Sequence, residues 1–425
     1  MKTTMQNTTS VAIDTAYSIG RKLCKEALWW GDECTWQGAA VMEEGGQHSL
    51  VTRAFGPDLH GGLAGIALFL AELSLEVGDS VVEATLNGAL KNLSRQLVSI
   101  KTKLDIGFYT GLTGIGYALW RIGKLRSEKK WVDAGLGCFD SSLSTDLRAS
   151  PLDLMSGLAG AIPVLLKLYK EGGREDLLAL ARKCGGHLIE KAKKWEEYWA
   201  WQTLSGEIPL TGYAHGAAGI ALAFQELAES TQNERFKEAA FYGFAYENAH
   251  FDARQNNWLD LRYSIRNQQT TDDQPGCSDS WSHGAPGIAL SRLRAYELTG
   301  NVDFLQEARL GLDTTCELVS AHLKNPAGTN YSLCRGLAGN ADILMEGSIM
   351  LDEPVYAQVA QQVAKLGRML YDHTDSDWPS GVIPPMGSAQ GKYPTPGLML
   401  GLAGTGLFYL RLSAKRRPEN LLLIT

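Results

Sequence analysis

The sequence predicts an all-α fold, an α/α toroid of seven helical hairpins with an inner and an outer ring of helices. One observation is a tetrad, Gly-x-x-Gly, followed each time by an apolar stretch: it begins at Gly62, Gly111, Gly157, Gly216, Gly284, Gly336 and Gly401, at steps of 49, 46, 59, 68, 52 and 65 residues. Self-similarity at such a period marks a repeat architecture, and each step fits two helices and their loops. The other observation is contrast. Segments such as "VVEATLNGALKNLSRQLVSI" and "EPVYAQVAQQVAKLGRMLYDH" repeat apolar residues near every 3.6 positions, whereas those after the tetrads are apolar nearly all round. The first kind reads as outer helices and the second as inner ones. An open solenoid would need shorter and more uniform units.

Along the chain, residues 1–50 are expected to form an N-terminal outer helix and a lead-in, with "TAYSIGRKLCKEALWW" (15–30) helical, and residues 51–425 to carry the seven repeats in one domain. The segment "KKWEEYWAWQTLSGEIPL" (193–210) reads as a hairpin over the rim or as a peptide groove, and "RNQQTTDDQPGCSDS" (266–280) as a long polar lid beside His283. Glycine at both ends of each tetrad is expected to supply a positive-φ turn and to let inner helices crowd together.

Composition narrows the function. With 425 residues, 44% apolar composition and a formal charge of −7, the chain has no basic footprint for nucleic acid. There is no signal-peptide stretch and no run of about 18 apolar residues, so a cytoplasmic protein without a transmembrane segment is expected. The seven cysteines (24, 34, 138, 184, 277, 316 and 334) are odd in number and form no CxxC pair, which argues against a disulfide framework or a zinc ribbon. A Walker or Rossmann phosphate loop is also missing.

If seven inner helices point their N-termini into one cavity, exposed N–H groups and helix dipoles favour negative charge there. The residues just before each tetrad can then vary in chemistry on a constant scaffold. Immediately before the first glycine stand Gly61, Thr110, Ser156, His215, His283, Arg335 and Leu400; one place earlier stand His60, Tyr109, Met155, Ala214, Ser282, Cys334 and Met399. Repeats four to six hold the polar chemistry. A lone histidine at a helix start is usually a cap or a satisfied core residue, but two at one slot beside an arginine and a cysteine suggest a site.

The motifs "LTGYAHGAAGIA", "SWSHGAPGIALSRLRA", "YSLCRGLAGNADIL" and "PGLMLGLAGTGLFYLRL" resemble the LanC-like lanthionine cyclase family from about residue 50 to the end. "NWLDLR" (257–262) and the tail "RPENLLLIT" are similar to cyclase domains of class II lanthipeptide synthetases. The resemblance implies an α/α toroid that adds a cysteine thiol of a dehydrated ribosomal precursor peptide to dehydroalanine or dehydrobutyrine, closing a thioether ring. It implies a catalytic role for His215 and an orienting role for Asp153; their positions at the slots add catalytic roles for His283 and Arg335, and substrate contacts are expected from Trp281, Cys334 and Tyr109. Asp58 stands at the same offset as Asp153, so a shared role in capping the turn is the alternative.

Zinc-dependent members ligate the metal at slots that fall here on Ser282, Cys334 and Arg335. Serine is a poor zinc ligand and arginine a permanent cation, so no metal cofactor is expected unless Cys334, His283 and possibly Cys277 rearrange to hold one. Class III cyclase domains, which resemble this condition, lack the ligands and are still held to close rings. Without a metal, Arg335 would favour the thiolate and the two histidines would carry protons. An arginine that some cyclases carry four residues before the first ligand is Ser278 here, so that role is missing or moved. Expected partners are the precursor peptide and a separate dehydratase or kinase/lyase, with the chain itself a monomer. The rival readings are a non-catalytic scaffold for the peptide or a modifying enzyme, glutathione as the nucleophile, and a carbohydrate enzyme using paired carboxylates among Asp58, Asp105 and Asp153.

Overall fold

Each tetrad starts a helix in the computed structural model, which describes residues 2–44, 47–100, 105–204, 208–262, 275–372, 374, 376–384, 393–413 and 416–425. The inner helices are α2 (Leu63–Ser74), α4 (Leu112–Arg126), α6 (Leu158–Gly172), α8 (Ala217–Thr231), α10 (Ala285–Thr299), α12 (Leu337–Leu351) and α14 (Leu402–Arg411). The outer ones are α1 (Lys2–Glu26), α3 (Ser80–Ile100), α5 (Lys129–Ser142), α7 (Glu175–Lys191), α9 (Glu234–Ala249), α11 (Val302–Lys324) and α13 (Pro354–Tyr371). Every inner helix touches the next, and α14 returns to α2, so the ring is closed. The N-terminal α1 packs on α14 and thereby supplies the outer partner of the last inner helix.

Sequence explains which helix goes where. All ten residues of α14 are buried, whereas α11 buries one stripe, Ala308, Gly311, Leu312, Thr315 and Val319, at helical spacing. Outer helices α9 and α11 begin at Asn233 and Asn301, whose side chains accept the N–H groups of Arg235 and Asp303.

Of the two purposes expected of the tetrad glycines, close approach is met, as at Gly65, Gly287 and Gly404 against side chains of neighbouring repeats, and the positive-φ turn is met at one position. Six of the seven first glycines have negative φ, and Gly284 alone is positive at 96°. What demands glycine is proximity to the preceding loop. A Cβ on Gly111 would lie 2.3 Å from the carbonyl oxygen of Asp105, and one on Gly114 would lie 1.5 Å from that of Phe108. The same clash, six residues back, recurs at Gly65, Gly160, Gly287, Gly339 and Gly404. Each tetrad therefore folds its own loop onto the first turn of the inner helix.

Short antiparallel hairpins interrupt the all-helical plan. The first outer helix ends at Glu26, and Leu28–Trp30 pairs instead with Glu33–Thr35 through a tight turn in which Gly31 has φ +62°. A second hairpin joins Gln37–Glu44 to Gln47–Ala54. The tryptophan-rich segment is a hairpin, Lys193–Lys194 against Trp199–Ala200; Trp199 stacks on Tyr242 at 5.1 Å and the Trp201 indole donates to the Leu188 carbonyl. Of the proposed lid, residues 266–274 lie outside the described residues.

The chain end enters the ring. Leu421 and Leu422 are buried, the Tyr109 hydroxyl donates to the Leu421 carbonyl at 2.7 Å and the Trp281 indole donates to the Leu422 carbonyl at 3.1 Å. Tyr117 bonds Glu419 at 2.6 Å, and Arg411 holds the carbonyl of Pro418. Beside Leu422 and Ile424 only about 20 Å³ of cavity remains.

Candidate active site

The slot residues form a collar of main-chain hydrogen bonds at the inner-helix N-termini. The N–H of His60 donates to the Tyr109 carbonyl, Tyr109 to Met155, Leu154 to Ala214, Ala214 to Ser282, Ser282 to Cys334, Cys334 to Met399, and Met399 back to His60, at 2.8–3.4 Å. The collar fixes the backbone at each slot and leaves its side chains to do chemistry. Below it lie Tyr109, Tyr213 and Trp281, in edge contact around the plug formed by the tail.

Asp153 serves both of the alternatives open for it. Its Oδ1 accepts the Ser156 N–H at 2.8 Å, capping the turn, and its Oδ2 takes His215 Nδ1 at 2.6 Å. Asp58 at the equivalent offset caps Gly61 and Gly62. With a carboxylate on Nδ1, that nitrogen carries the proton and Nε2 keeps the lone pair. The His215 side chain is 25% exposed while Asp153 is buried, so the dyad is anchored beneath and open above.

His283 stacks on His215 with ring centroids 5.9 Å apart and 24° between planes. It is only 1% exposed, its Nδ1 donates to the Thr211 carbonyl at 3.0 Å, and its Nε2 is buried without a partner. Burial, with Arg262 adding to it, pushes the imidazole well below its ordinary value, so the ring is neutral near pH 7. Burial therefore disfavours the protonated form that the proton-carrier expectation for His283 requires.

Cys334 is buried against Ser282 and Arg335. Burial pushes its thiol up, opposed by the Arg335 charge and by hydrogen bonds from Ser282 and Arg335. Arg335 Nε is buried without a partner. His60 joins the group: burial, then Arg335 and His215, push it down to about 4, with Asp58 opposing.

Arg262 escaped the sequence reading. Asp260 grips it through Oδ1 at 2.9 Å and Oδ2 at 2.6 Å, and its charge reaches both His283 and Cys334. The strap that carries it is fastened to the His283 loop by Asn257, whose side chain bonds the Ser278 carbonyl and the Ala285 N–H. Arg262 thus brings a guanidinium charge to bear on His283 from another segment; its only signal in the sequence was an Asp-x-Arg pair in "NWLDLR".

Two expected substrate contacts need correcting. Tyr109 and Trp281 are buried and their polar atoms are committed to the tail, below the collar. The donor set also fails to fit zinc. Ser282 Oγ lies 3.1 Å from Ser280 Oγ, the third slot is a guanidinium, and no group of three or more His, Cys, Asp or Glu side chains among the described residues converges on a metal position. Cys277, Cys334 and His283 do not form such a group either.

Comparisons with known proteins identify the family and the fold. A family model described as "Lanthionine synthetase C-like protein" matches residues 54–423. The lacticin 481/lactococcin biosynthesis protein LcnDR2 of Lactococcus lactis subsp. lactis is 26% identical over 294 residues, which cover 68% of this chain and 29% of that protein. The chain therefore spans less than a third of that relative's length. The structure of nisin cyclase is similar with a TM-score of 0.58 at 18% identity, over 83% of this chain and 87% of that one. The family 76 mannosidase Bt3792 of Bacteroides thetaiotaomicron VPI-5482 follows at 0.50 and 12% identity, over 95% and 98%. At these identities the two structures show the α/α toroid alone. No helix among the described residues is long and apolar enough to cross a membrane.

Proposed function

Because the chain belongs to the lanthionine synthetase C-like family, we propose that it closes thioether rings by adding a peptide cysteine thiol to dehydroalanine or dehydrobutyrine without a metal. The observation that carries this reading is the Asp153–His215 dyad standing over a collar that also presents Arg335. His215 Nε2 takes the thiol proton, the sulfur bonds to the β-carbon, and the alkene electrons move onto the α-carbon and its carbonyl as an enolate. The imidazolium returns the proton to the α-carbon, so atoms and charge balance. The Arg335 guanidinium, whose charge already favours the thiolate form of Cys334, stabilises first the substrate thiolate and then the enolate. His283, held neutral by burial, stacks on the His215 ring and keeps it in place. The peptide arrives already dehydrated by another enzyme, in the cytoplasm; glutathione would be a change of nucleophile within the same chemistry.

The test uses a dehydrated, cysteine-containing precursor and counts free thiols over time. His215→Asn is expected to close rings about 10²- to 10⁴-fold more slowly, and His283→Asn to show a smaller loss. Unchanged rates in both would move the weight to a peptide-binding scaffold, the reading favoured by Arg335 and Ser282 at the ligand slots.

A further inference from the structure

The first and third repeats tie their slot loops from within: Asp58 accepts from Gly61 and Gly62, and Asp153 accepts from Ser156. At the same offset the fourth repeat, whose loop carries His215, has Gly212 instead. A side chain there has no room. A Cβ on Gly212 would lie 2.8 Å from His283 Nδ1 and 3.0 Å from the His283 Cα, and the backbone sits at φ +103°. The approach that lets the His283 ring reach the Thr211 carbonyl thus excludes a capping carboxylate from this loop.

A carboxyl from outside the loop takes its place. Glu247, on the outer helix α9, accepts through Oε1 from the Gly212 N–H at 3.0 Å and from the Ala218 N–H at 2.7 Å, so one oxygen ties the loop on both sides of His215. Its chain neighbour Tyr246 adds a third tie by donating its hydroxyl to the Pro209 carbonyl at 2.7 Å. The fifth repeat follows the same plan with a neutral group, since Asn257 bonds the Ser278 carbonyl and the Ala285 N–H on either side of His283. Stability alone is a poor reason for the carboxyl. Glu247 is fully buried and its Oε2 has no partner among the described residues, an arrangement that costs folding free energy. Its two bonds go to the one slot loop that carries the candidate base.

We propose that Glu247 is a positioning residue for His215, holding both ends of its loop so that the ring keeps Nδ1 on Asp153. Glu247 touches no reacting atom. Its kinetic consequence rests on the proposed function, whereas its hold on the imidazole is a property of the resting protein. A loosened loop aims the base less well, so turnover falls while peptide binding stays nearly the same.

Three variants separate this role from a merely structural one. Glu247→Leu removes the acceptor and keeps an apolar side chain in the core. Glu247→Gln keeps an oxygen that accepts from both N–H groups. Ala218→Pro leaves Glu247 untouched but removes one donor, at a helix position that Pro286 already occupies in α10. Nitrogen-15 spectra of the histidine rings, with His215→Asn assigning the signal, read the His215 tautomer without any substrate. The parent and Glu247→Gln should show a single Nδ1–H tautomer; Glu247→Leu and Ala218→Pro should show a mixture. In ring closure, kcat should fall about 10- to 100-fold in Glu247→Leu and Ala218→Pro with KM within about twofold, and Glu247→Gln should restore most of it. A parent-like His215 spectrum in the folded Glu247→Leu or Ala218→Pro, a lowered melting temperature with unchanged kcat, or a loss in Glu247→Gln as large as in Glu247→Leu would overturn the assignment. If the parent closes no rings, the proposed function falls and the tautomer spectra still decide the role of Glu247. If Glu247→Leu does not fold, Ala218→Pro decides alone.

Discussion

Asp153 Oδ2 lies 2.6 Å from His215 Nδ1 across 62 residues of sequence, while its Oδ1 caps the turn of its own repeat at the Ser156 N–H. One carboxylate thus fixes the loop of the third repeat and the tautomer of a histidine in the fourth.

Asp153→Asn separates those tasks. The amide oxygen can still accept from Ser156, but the charge that favours an imidazolium is gone. Ring closure is expected to slow by about 10²-fold or more with a melting temperature close to the parent's. A large fall in melting temperature with an unchanged rate would make Asp153 a turn cap and nothing else.

The ligand slots predict metal content. Purified protein should hold well under one equivalent of zinc, whereas Ser282→Cys combined with Arg335→His, which places Cys, Cys and His at the three slots, should raise it toward one. Elemental analysis settles the matter, and a parent near one equivalent that drops on Cys334→Ala would refute the donor argument.

Glu247 makes stability depend on pH. It is buried, its Oε1 accepts from Gly212 and Ala218 at 3.0 and 2.7 Å, and burial pushes it up to about 7. The unfolded chain releases this proton near 4.5 and the native state near 7, so between those values the native state binds more protons and loses stability as pH rises. His60 acts in the opposite sense: its neutral form is favoured in the native state, and stability is lost as pH falls from 6.5 toward 4. Melting curves of Glu247→Gln, a neutral mimic of the protonated acid, should match the parent near pH 5 and exceed it at pH 7.5. A gap that stays constant with pH would remove Glu247 from the account.

Two glycines offer a matched pair. Alanine at Gly114 would drive Cβ to 1.5 Å from the Phe108 carbonyl and should cost at least about 3 kcal/mol. At Gly186, within α7, a Cβ meets nothing within 4 Å, and alanine should stabilise by about 0.5–1 kcal/mol. Denaturant titration of both variants checks the sign of each.

Much of the fold was legible in sequence because its determinants are local and repeated. A tetrad glycine clashes with a carbonyl only six residues back, so the seven loop-to-helix turns at Gly62 through Gly401 are written in short stretches, and hydrophobic periodicity sorts inner helices from outer ones. His215 and Asp153 were likewise legible as slot and capping residues. What only the tertiary structure decided depends on groups far apart in the chain. Tyr109 and Trp281 turn away from the cavity because the tail, 312 and 141 residues later, claims their polar atoms. The charge of Arg262 reaches His283 from a separate strap, and burial holds the His283 ring neutral. Burial and electrostatic potential are sums over spatial neighbours, and sequence spacing does not carry that sum.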